Sequence, residues 1–397
     1  MTDDFGLAGT RELNRLRVMQ ALLRNPGSSR NDVARLTGLS RPTVSTLVDE
    51  LEAAGIVEQH ADRDEERPRS AGRPPMYVSL APRAAFAVGL DFGHQHIRAG
   101  VCDLSGTLVA DDWSQAEVDH APTASLDLAH ELVQSVLKTA NVDRRHVIGV
   151  GMGLAAPIDS ATGTAFVEGI LPSWGGVSPA EEMEARLGLP VQIENDANVG
   201  ALGEHMFGAG RGVEDMVYVR LSAGIGLGLI LGGRPYRGRC GVAGELGHVA
   251  SVENGMICRC GNRGCLETVA SPVAVARLLE YSRGEPVSVQ RLLELVAQGD
   301  RGARRAVADA GAAVGNAIAA VVNVLNPELV VIGGDLAGAG AVLLDPLRTA
   351  IERRAIAPAV AAVRVTQGAL GDKAEVLGAA AVLLSQAPHA LARRLVT

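Results

Sequence analysis

The chain has 397 residues, of which 47% are hydrophobic, 21% charged and 3% aromatic, with 47 glycines and a formal net charge of −8. This length predicts two to three domains with a large core, which excludes a small disulfide-stapled scaffold, and the composition excludes a disordered chain or a coiled coil. Because the sequence has neither a signal-like start nor an uncharged apolar run of about 18 residues, we expect a cytoplasmic protein without a membrane partner.

The first 80 residues have the helix spacing of a helix-turn-helix domain. After a first helix and an Asn-Pro-Gly break, Ser29 is the predicted N-cap of a second helix, with Asp32 three residues later. The apolar face of this second helix is Val33 and Leu36. Ser40 is the predicted N-cap of a third helix, after a tight turn.

The third helix has the pattern of a recognition helix, with one apolar side and one side of the residue types that contact bases and phosphates in a major groove. An arginine-containing connection between short predicted strands at 55–58 and 76–80 indicates a wing for phosphates or the minor groove. Acidic residues in the same connection argue against a purely electrostatic binder, and a domain that contacts only protein is the alternative. The residues expected at DNA are Ser40, Arg41, Thr43, Ser45, Thr46, Arg69 and Arg73.

From residue 84 onward, strand-like runs alternate with helical stretches, which predicts an α/β architecture. Two glycine-marked strand sets with similar openings, near residues 89–93 and 221–226, indicate two lobes on either side of a ligand-binding cleft. We therefore expect one domain at residues 1–82 and a second at 84–397, with the cleft near 195–267. The predicted strands are 86–90, 96–102, 147–151, 191–193, 216–221, 227–231 and 329–332, and predicted helices include 126–140 and 303–325.

A histidine and three cysteines lie close together in the sequence. His248 is followed by Cys258, Cys260 and Cys265, with glycines between the cysteines that permit tight turns. One imidazole and three thiolates form the ligand set of a closed, tetrahedral zinc site. We expect one structural zinc ion per chain, and the alternative is three free thiols on one loop.

Asn195 and Asp196 follow a predicted strand and precede a helix. An amide and a carboxylate at a strand end are well placed to bind a polyhydroxy ligand, and the Asp196 carboxylate is able to accept a proton from a hydroxyl group. The alternative is that the run Asn-Asp-Ala-Asn at 195–198 only caps the helix.

Three glycine-containing turns have backbone N–H groups of the kind that bind phosphate or nucleotide. Glycine turns are also common in hairpins, so each of them is ambiguous alone. The candidate nucleotide-binding residues in these turns are Asp91, Gly93, Gly224, Gly226, Gly333 and Gly334.

Together these features resemble the ROK family of repressors, open reading frames and sugar kinases, and in particular its winged-helix regulators of sugar metabolism. The most specific match is GELGH at 244–248 followed by CRCGNRGCLE at 258–267. The resemblance implies an N-terminal winged helix-turn-helix domain followed by a two-lobed α/β, actin-like ATPase and sugar kinase domain. It also implies sugar contacts from Asn195, Asp196, Glu245, His248 and Glu267, with Asp196 as the catalytic base only if kinase activity is retained.

The first phosphate loop departs from the kinase pattern. Kinases of the family have Asp-x-Gly-Gly-Thr-Lys, whereas residues 91–96 read DFGHQH. A histidine side chain at position 94 is expected to obstruct the γ-phosphate, which argues against binding of Mg-ATP.

The resemblance therefore implies a sugar-responsive repressor that binds double-stranded operator DNA as a dimer or tetramer. Its effector is expected to be a small sugar or a sugar phosphate. The alternative is an ATP-dependent sugar kinase that carries a DNA-binding domain.

Overall fold

The computed structural model of the chain describes residues 7–61, 76–159, 162–167 and 169–395. The predicted wing residues Arg69 and Arg73 lie outside these ranges, so their expected DNA contacts stay predictions. Within the described ranges, the chain forms a small N-terminal domain and two larger lobes.

The N-terminal domain is a winged helix-turn-helix. Its three helices are accompanied by a three-stranded antiparallel sheet in which β3 lies between β1 and β2. The predicted strands on either side of the wing are therefore present and paired. The elements are α1 (Leu7–Arg24), β1 (Ser28–Ser29), α2 (Arg30–Thr37), α3 (Arg41–Ala53), β2 (Val57–Ala61) and β3 (Met76–Leu80).

Both predicted N-caps are present in this domain. Ser29 caps α2 in a capping box with Asp32, and the Ser40 hydroxyl caps α3. Val33 is buried as predicted, but Leu36 is 44% exposed, so its predicted place in the core was wrong. Helix α2 has only about two turns, which is too short for a wide buried face. Val33 is the buried residue of α2 that packs in the core.

The first lobe contains a five-stranded sheet. Its elements are β4 (Phe86–Phe92), β5 (His96–Asp103), β6 (Leu108–Gln115), α4 (Pro122–Thr139), β7 (Val147–Leu154), α5 (Pro179–Leu187) and β8 (Val191–Asn195), followed by α6 (Asp196–Phe207). The strand order is β6-β5-β4-β7-β8, with β6, β5 and β4 antiparallel and β4, β7 and β8 parallel. All four predicted strands of this region are confirmed, and β6 was not predicted.

The second lobe repeats this topology. Its elements are β9 (Met216–Leu221), β10 (Ile225–Leu231), β11 (Arg234–Pro235), α7 (Glu267–Ala270), α8 (Pro272–Arg283), α9 (Val289–Ala297), α10 (Arg301–Leu325), β12 (Leu329–Gly333), α11 (Ala341–Arg354), α12 (Ala357–Ala362) and β13 (Arg364–Gln367). The strand order is β11-β10-β9-β12-β13, again with three antiparallel strands and then parallel ones. Two lobes of like topology are thus present, as the paired glycine-marked openings predicted.

Two helices lie between the sheets and position the functional groups. These two helices are α6 and α13 (Ala374–Leu384), and α13 is followed by the last helix, α14 (Ala387–Arg394). We call α13 and α14 the C-terminal helices. Helix α13 packs on β4 and β7, α6 packs on β9 and β10, and the two helices pack against each other. Gly378 permits this close crossing, because a side chain there would collide with the carbonyl group of Val199. Consequently Asp196 at the start of α6 and Glu375 at the start of α13 lie near each other.

The winged helix-turn-helix domain packs against the C-terminal helices. Met19 and Leu22 of α1 share one apolar cluster with Leu384 of α13 and with Leu391 of α14. All four of these side chains are buried. The winged helix-turn-helix domain therefore shares an apolar cluster with α13, the helix that crosses α6.

Helix α10 is long and apolar enough to cross a membrane by length and composition. It packs against α11 and contributes Val307, Val314, Ile318 and Val322 to the apolar core of the second lobe. A buried core helix has this composition, so α10 gives little support for a membrane span.

Candidate functional site

A cleft between the lobes contains all five residues for which the sequence predicts sugar contacts. Its walls include turns of both lobes and the first residues of α6 and α7. The predicted residues in its lining are Asn195, Asp196, Glu245, His248 and Glu267. We call this space the sugar cleft.

Asn195 is both a capping residue and a wall of the sugar cleft. Its Oδ1 accepts hydrogen bonds from the backbone N–H groups of Ala197 (2.9 Å) and Asn198 (3.2 Å). Its Nδ2 donates to the carbonyl oxygen of Ala156 (3.1 Å). The capping role that the sequence left open is therefore present, and it fixes the amide at the edge of the cleft.

Asp196 is held by Arg220, a residue of β9 that the sequence analysis did not single out. Arg220 Nη1 lies 2.9 Å from Asp196 Oδ2, and Arg220 Nε donates to Glu375 Oε1 at 3.0 Å. The Tyr218 hydroxyl donates to the same Glu375 oxygen (3.0 Å). Although burial opposes the charge, the carboxylates of Asp196 and Glu375 raise the pKa of Arg220 well above its ordinary value. The sequence signal that could have identified Arg220 is an arginine within an otherwise largely apolar strand.

Glu267 is fixed at the far side of the sugar cleft by two donors. Its Oε1 accepts a hydrogen bond from Arg259 Nε (3.2 Å), and its Oε2 accepts one from the backbone N–H of Ile225 (3.3 Å). Gly224 permits this approach, because a Cβ atom at that position would lie 2.6 Å from Glu267 Oε2. This glycine therefore serves the sugar cleft.

Glu245 lies beside the predicted zinc ligand His248, with 3.8 Å between its Oε2 and His248 Nε2. Burial, together with the negative charges of Asp196 and Glu267, raises the pKa of Glu245 to about 7. Three carboxylates thus share one small cleft, which suits a ligand with many hydroxyl donors.

The predicted metal ligands converge. A ring nitrogen of His248 and the Sγ atoms of Cys258, Cys260 and Cys265 all lie within 4.8 Å of one another. His248 Nδ1 is 3.6 Å from Cys258 Sγ, and Cys260 Sγ is 3.7 Å from Cys265 Sγ. Tetrahedral zinc with its usual bond lengths separates N from S by about 3.6 Å and S from S by about 3.8 Å. The four side chains therefore fit one zinc ion.

The loop that carries the cysteines is shaped by glycines. Gly261 and Gly264 have φ angles of +90° and +72°, which side-chain-bearing residues rarely adopt. These turns bring Cys260 and Cys265 to the same side as His248. Since His248 Nδ1 faces the thiols, Nε2 is directed toward Glu245 and the sugar cleft.

A second cleft lies on the other side of Arg220, which lines both clefts. Of the candidate nucleotide-binding residues, Asp91, Gly333 and Gly334 line the second cleft, Gly224 and Gly226 line the sugar cleft, and Gly93 is in neither lining. The carboxylates in the second cleft are Asp91, Glu204, Asp335, Asp372 and Glu375. Such an acidic lining is unfavourable for a triphosphate.

Asp91 is almost fully buried and forms an ion pair with a histidine from the same altered loop. His96 Nε2 lies 2.9 Å from Asp91 Oδ2, and Asp91 is 2% exposed. Burial acts to raise the pKa of Asp91, but His96 and the charges of Arg220 and Arg98 outweigh it and lower that pKa. His96, at the position of the lysine in the kinase pattern, therefore pairs with Asp91 within the altered loop.

His94, the residue in place of the second glycine, lines the sugar cleft. Its Nδ1 lies 2.7 Å from Asp119 Oδ1, and its side chain is 12% exposed. The sequence predicted only that this ring obstructs phosphate. The structure adds that the ring faces the sugar cleft in a fixed orientation.

The recognition helix α3 presents a mixed surface. Arg41 and Thr46 are exposed, and Ser45 is half-buried. Ser40 and Thr43 are bound to each other, with 2.7 Å between their hydroxyl oxygens, so both take part in the helix cap. The Arg41 side chain has no hydrogen bond or ion pair with the residues that the structure describes, unlike the side chains of Arg30 and Arg35, which pair with Asp49 and Asp32.

Comparison with known proteins agrees with these features. Residues 87–386 match the ROK family, and residues 9–68 match the MarR family. The chain is 28% identical over 389 residues to a protein named xylose repressor from Caldicellulosiruptor bescii, covering 94% of this chain and 96% of that protein. It is 32% identical over 313 residues to a glucokinase from Thermotoga maritima, covering 75% of this chain and 96% of that enzyme.

Among solved structures, the chain is similar to a ROK family transcriptional regulator described as a homologue of the E. coli MLC protein. The TM-score is 0.77 at 26% identity, and the match covers 97% of this chain and 98% of the other. The likeness therefore includes both the winged helix-turn-helix domain and the two lobes. The chain belongs to the ROK family, as a member whose sugar kinase-like lobes follow an N-terminal winged helix-turn-helix domain.

Proposed function

We propose that this protein is a sugar-responsive transcriptional repressor. Its winged helix-turn-helix domain binds double-stranded operator DNA, and a sugar in the cleft between the lobes lowers its affinity for that DNA. Asn195, Asp196, Glu245, His248 and Glu267 contact the sugar. The relatives named xylose repressors, which match nearly the whole chain, support this assignment.

One observation carries the proposal. The recognition helix has an exposed Arg41 that has no partner among the described residues, while the domain to which it belongs packs through Met19 and Leu22 against the C-terminal helices. The other end of helix α13 carries Glu375. Arg220 is ion-paired both with Glu375 and with the cleft carboxylate Asp196, so it connects the helix to the cleft. A ligand that prefers one arrangement of the lobes therefore has a packed route to the DNA-binding domain.

Arg220 also supports binding without phosphoryl transfer. In a kinase, Asp196 would have to accept the sugar proton and the γ-phosphate would have to approach from the second cleft. Here Arg220 is ion-paired with Asp196 and lines both clefts, and the second cleft is lined by five carboxylates. The likeness to glucokinases keeps the kinase as the second candidate, with Asp196 as its base.

Further parts of the proposal concern assembly and cofactor. We assign one structural zinc ion per chain to His248, Cys258, Cys260 and Cys265, where it would hold the loop that carries the sugar contacts. We place the domain division at residues 82–84. A repressor of this kind acts as a dimer or tetramer on an inverted-repeat operator in the cytoplasm.

The test measures DNA binding and catalysis with the same protein. DNA selected by the full-length protein from a random pool is titrated by fluorescence anisotropy with and without D-xylose or D-glucose. A coupling of about 1–3 kcal/mol predicts that one sugar weakens DNA binding 5- to 150-fold. ADP formed from Mg-ATP in the presence of that sugar would instead support the kinase, and no response of DNA binding to any sugar would contradict the repressor.

Arg41→Ala is expected to remove discrimination at one operator position and to cost about 1–3 kcal/mol there, because a base-reading arginine contributes sequence information. Arg69→Ala is expected to weaken binding more evenly across sequences and to lower the salt dependence. Binding to the selected DNA and to single-base variants of it separates the two effects. Equal losses on selected and random DNA for both variants would contradict the assignment of Arg41.

A further inference from the structure

We propose that His94 is a sugar-contacting residue that accepts a hydrogen bond from a hydroxyl group, and that the sugar cleft takes an uncharged sugar rather than a sugar phosphate. This inference rests on the proposed function, which left the choice between sugar and sugar phosphate open. It goes further because it adds a residue outside the family's sugar signature and commits to one ligand class.

The orientation of His94 is set by Asp119. The carboxylate Oδ1 lies 2.7 Å from His94 Nδ1, so the carboxylate accepts and Nδ1 carries the proton. In the neutral ring, Nε2 is then the nitrogen with the free lone pair. It has no partner among the described residues, and the ring lines the sugar cleft. His94 therefore presents a positioned acceptor to whatever occupies the cleft.

The sugar cleft is also lined by carboxylate acceptors, two of which are ion-paired with arginines. Asp196, Glu245 and Glu267 supply carboxylate oxygens to the lining. Sugar hydroxyl groups donate to such acceptors, whereas a phosphate dianion offers only acceptors of its own. A cleft of this kind favours hydroxyl groups and disfavours an ionised phosphate.

The donors that usually bind phosphate are already engaged. Of the arginines in the lining, Arg220 is paired with Asp196 and Glu375, and Arg259 is paired with Glu267. The first backbone N–H groups of α6, which are a common anion site, are taken by the side chains of Asn195 and Asp196. Phosphate would have to displace one of these partners, so a sugar phosphate is the poorer ligand.

The first experiment compares ligands on the full-length, zinc-loaded protein by isothermal titration calorimetry. The probes are D-xylose, D-glucose, D-xylose 1-phosphate and D-glucose 6-phosphate. We expect one neutral sugar to bind and its phosphate ester to bind at least about 100-fold more weakly, because the phosphate meets no free arginine among the described residues of the lining. A phosphate ester that binds as tightly as its parent sugar would overturn the inference.

The second experiment tests His94 directly. His94→Leu is expected to weaken binding of the neutral sugar about 10-fold, and His94→Gln, which keeps an acceptor near the position of Nε2, is expected to recover most of the loss. His146→Leu is the control, because His146 is exposed on a turn outside the cleft lining. Unchanged affinity of folded His94→Leu would contradict the inference.

Monodeoxy sugars separate a hydrogen bond from simple packing. One deoxy analogue of the bound sugar is expected to bind wild type about 10-fold more weakly than the parent sugar does. The same analogue and the parent sugar are expected to bind His94→Leu equally well, which identifies the hydroxyl group that donates a hydrogen bond to His94. If every deoxy analogue loses the same factor in both proteins, His94 makes no such bond. If no sugar binds wild type, the proposed sugar response fails and the inference falls with it, which is a different result from binding that ignores His94.

Discussion

A Cys265→Ser variant is expected to lose its zinc ion and, with it, sugar binding. Cys265 is fully buried, and its Sγ lies 3.7 Å from Cys260 Sγ in the four-ligand cluster. A serine hydroxyl does not replace a thiolate toward zinc, and even loss of a supporting outer partner weakens metal binding about 10- to 100-fold. Loss of a direct ligand is therefore expected to weaken it by more than about 100-fold.

The reason for the loss of sugar binding is positional. His248 faces the thiols with Nδ1 and the cleft with Nε2, and Glu267 begins α7 two residues after Cys265. Without the ion, the loop loses the bond that holds the sugar contacts of both residues in place. Stability and sugar affinity should thus fall together.

The measurements are metal content by mass spectrometry, melting temperature and sugar titration. Cys240→Ser is the matched control, because Cys240 is exposed and lies outside the metal cluster. We expect about one zinc ion per chain in wild type and in Cys240→Ser. Wild type that binds sugar fully after its metal has been removed by a chelator would contradict a supporting role for zinc.

Features fixed by short-range sequence patterns were predictable. The caps at Ser29 and Ser40 depend on residues within one helical turn, and both are present. The zinc ligands are mostly within one short loop, and the spacing of cysteines and glycines was enough to indicate their convergence. Periodicity located seven strands of the two sheets for the same reason, but it missed the edge strands β6, β11 and β13.

The parts that escaped prediction depend on contacts between distant segments. Arg220 and Glu375 are on β9 and α13, and no local pattern marks one as the partner of the other. His94 is paired with Asp119, which lies beyond two strands. Leu36 has the helical spacing of a core residue, yet the short helix leaves it exposed. In each case, the outcome was decided by which element packs against which, and a single sequence does not contain that information directly.

An Arg220→Ala variant is expected to lose about 3–5 kcal/mol of folding free energy at pH 8, because removal of one partner leaves buried carboxylates without a counter-charge. Arg220 is 6% exposed, and its two partners, Asp196 and Glu375, are 7% and 4% exposed. Arg305→Ala is the control for loss of an ion pair at the surface. Arg305 and Asp309 are both exposed, so this change is expected to cost less than about 1 kcal/mol.

The folding free energy lost in Arg220→Ala should depend on pH, and Glu375 determines whether the loss increases or decreases as pH rises. Burial raises the pKa of Glu375 to about 7 from an ordinary value of 4.5, against the opposing effect of Arg220. The folded protein thus holds a proton that the unfolded chain releases, so this group's contribution to stability decreases as pH rises from about 4.5 through 7. Removal of Arg220 raises the pKa of Glu375 further, and the decrease then extends to higher pH.

Urea unfolding of wild type and variants at pH 6 and pH 8 measures both effects. Arg220→Ala is expected to be destabilised more at pH 8 than at pH 6. Adding Glu375→Gln should recover part of the loss at pH 8, because an uncharged amide needs no cation and its oxygen still accepts a hydrogen bond from the Tyr218 hydroxyl. The double variant separates the charge of Glu375 from the packing of Arg220, which the single variant does not. Equal losses at both pH values, with no recovery in the double variant, would mean that Arg220 acts through packing and Asp196 alone.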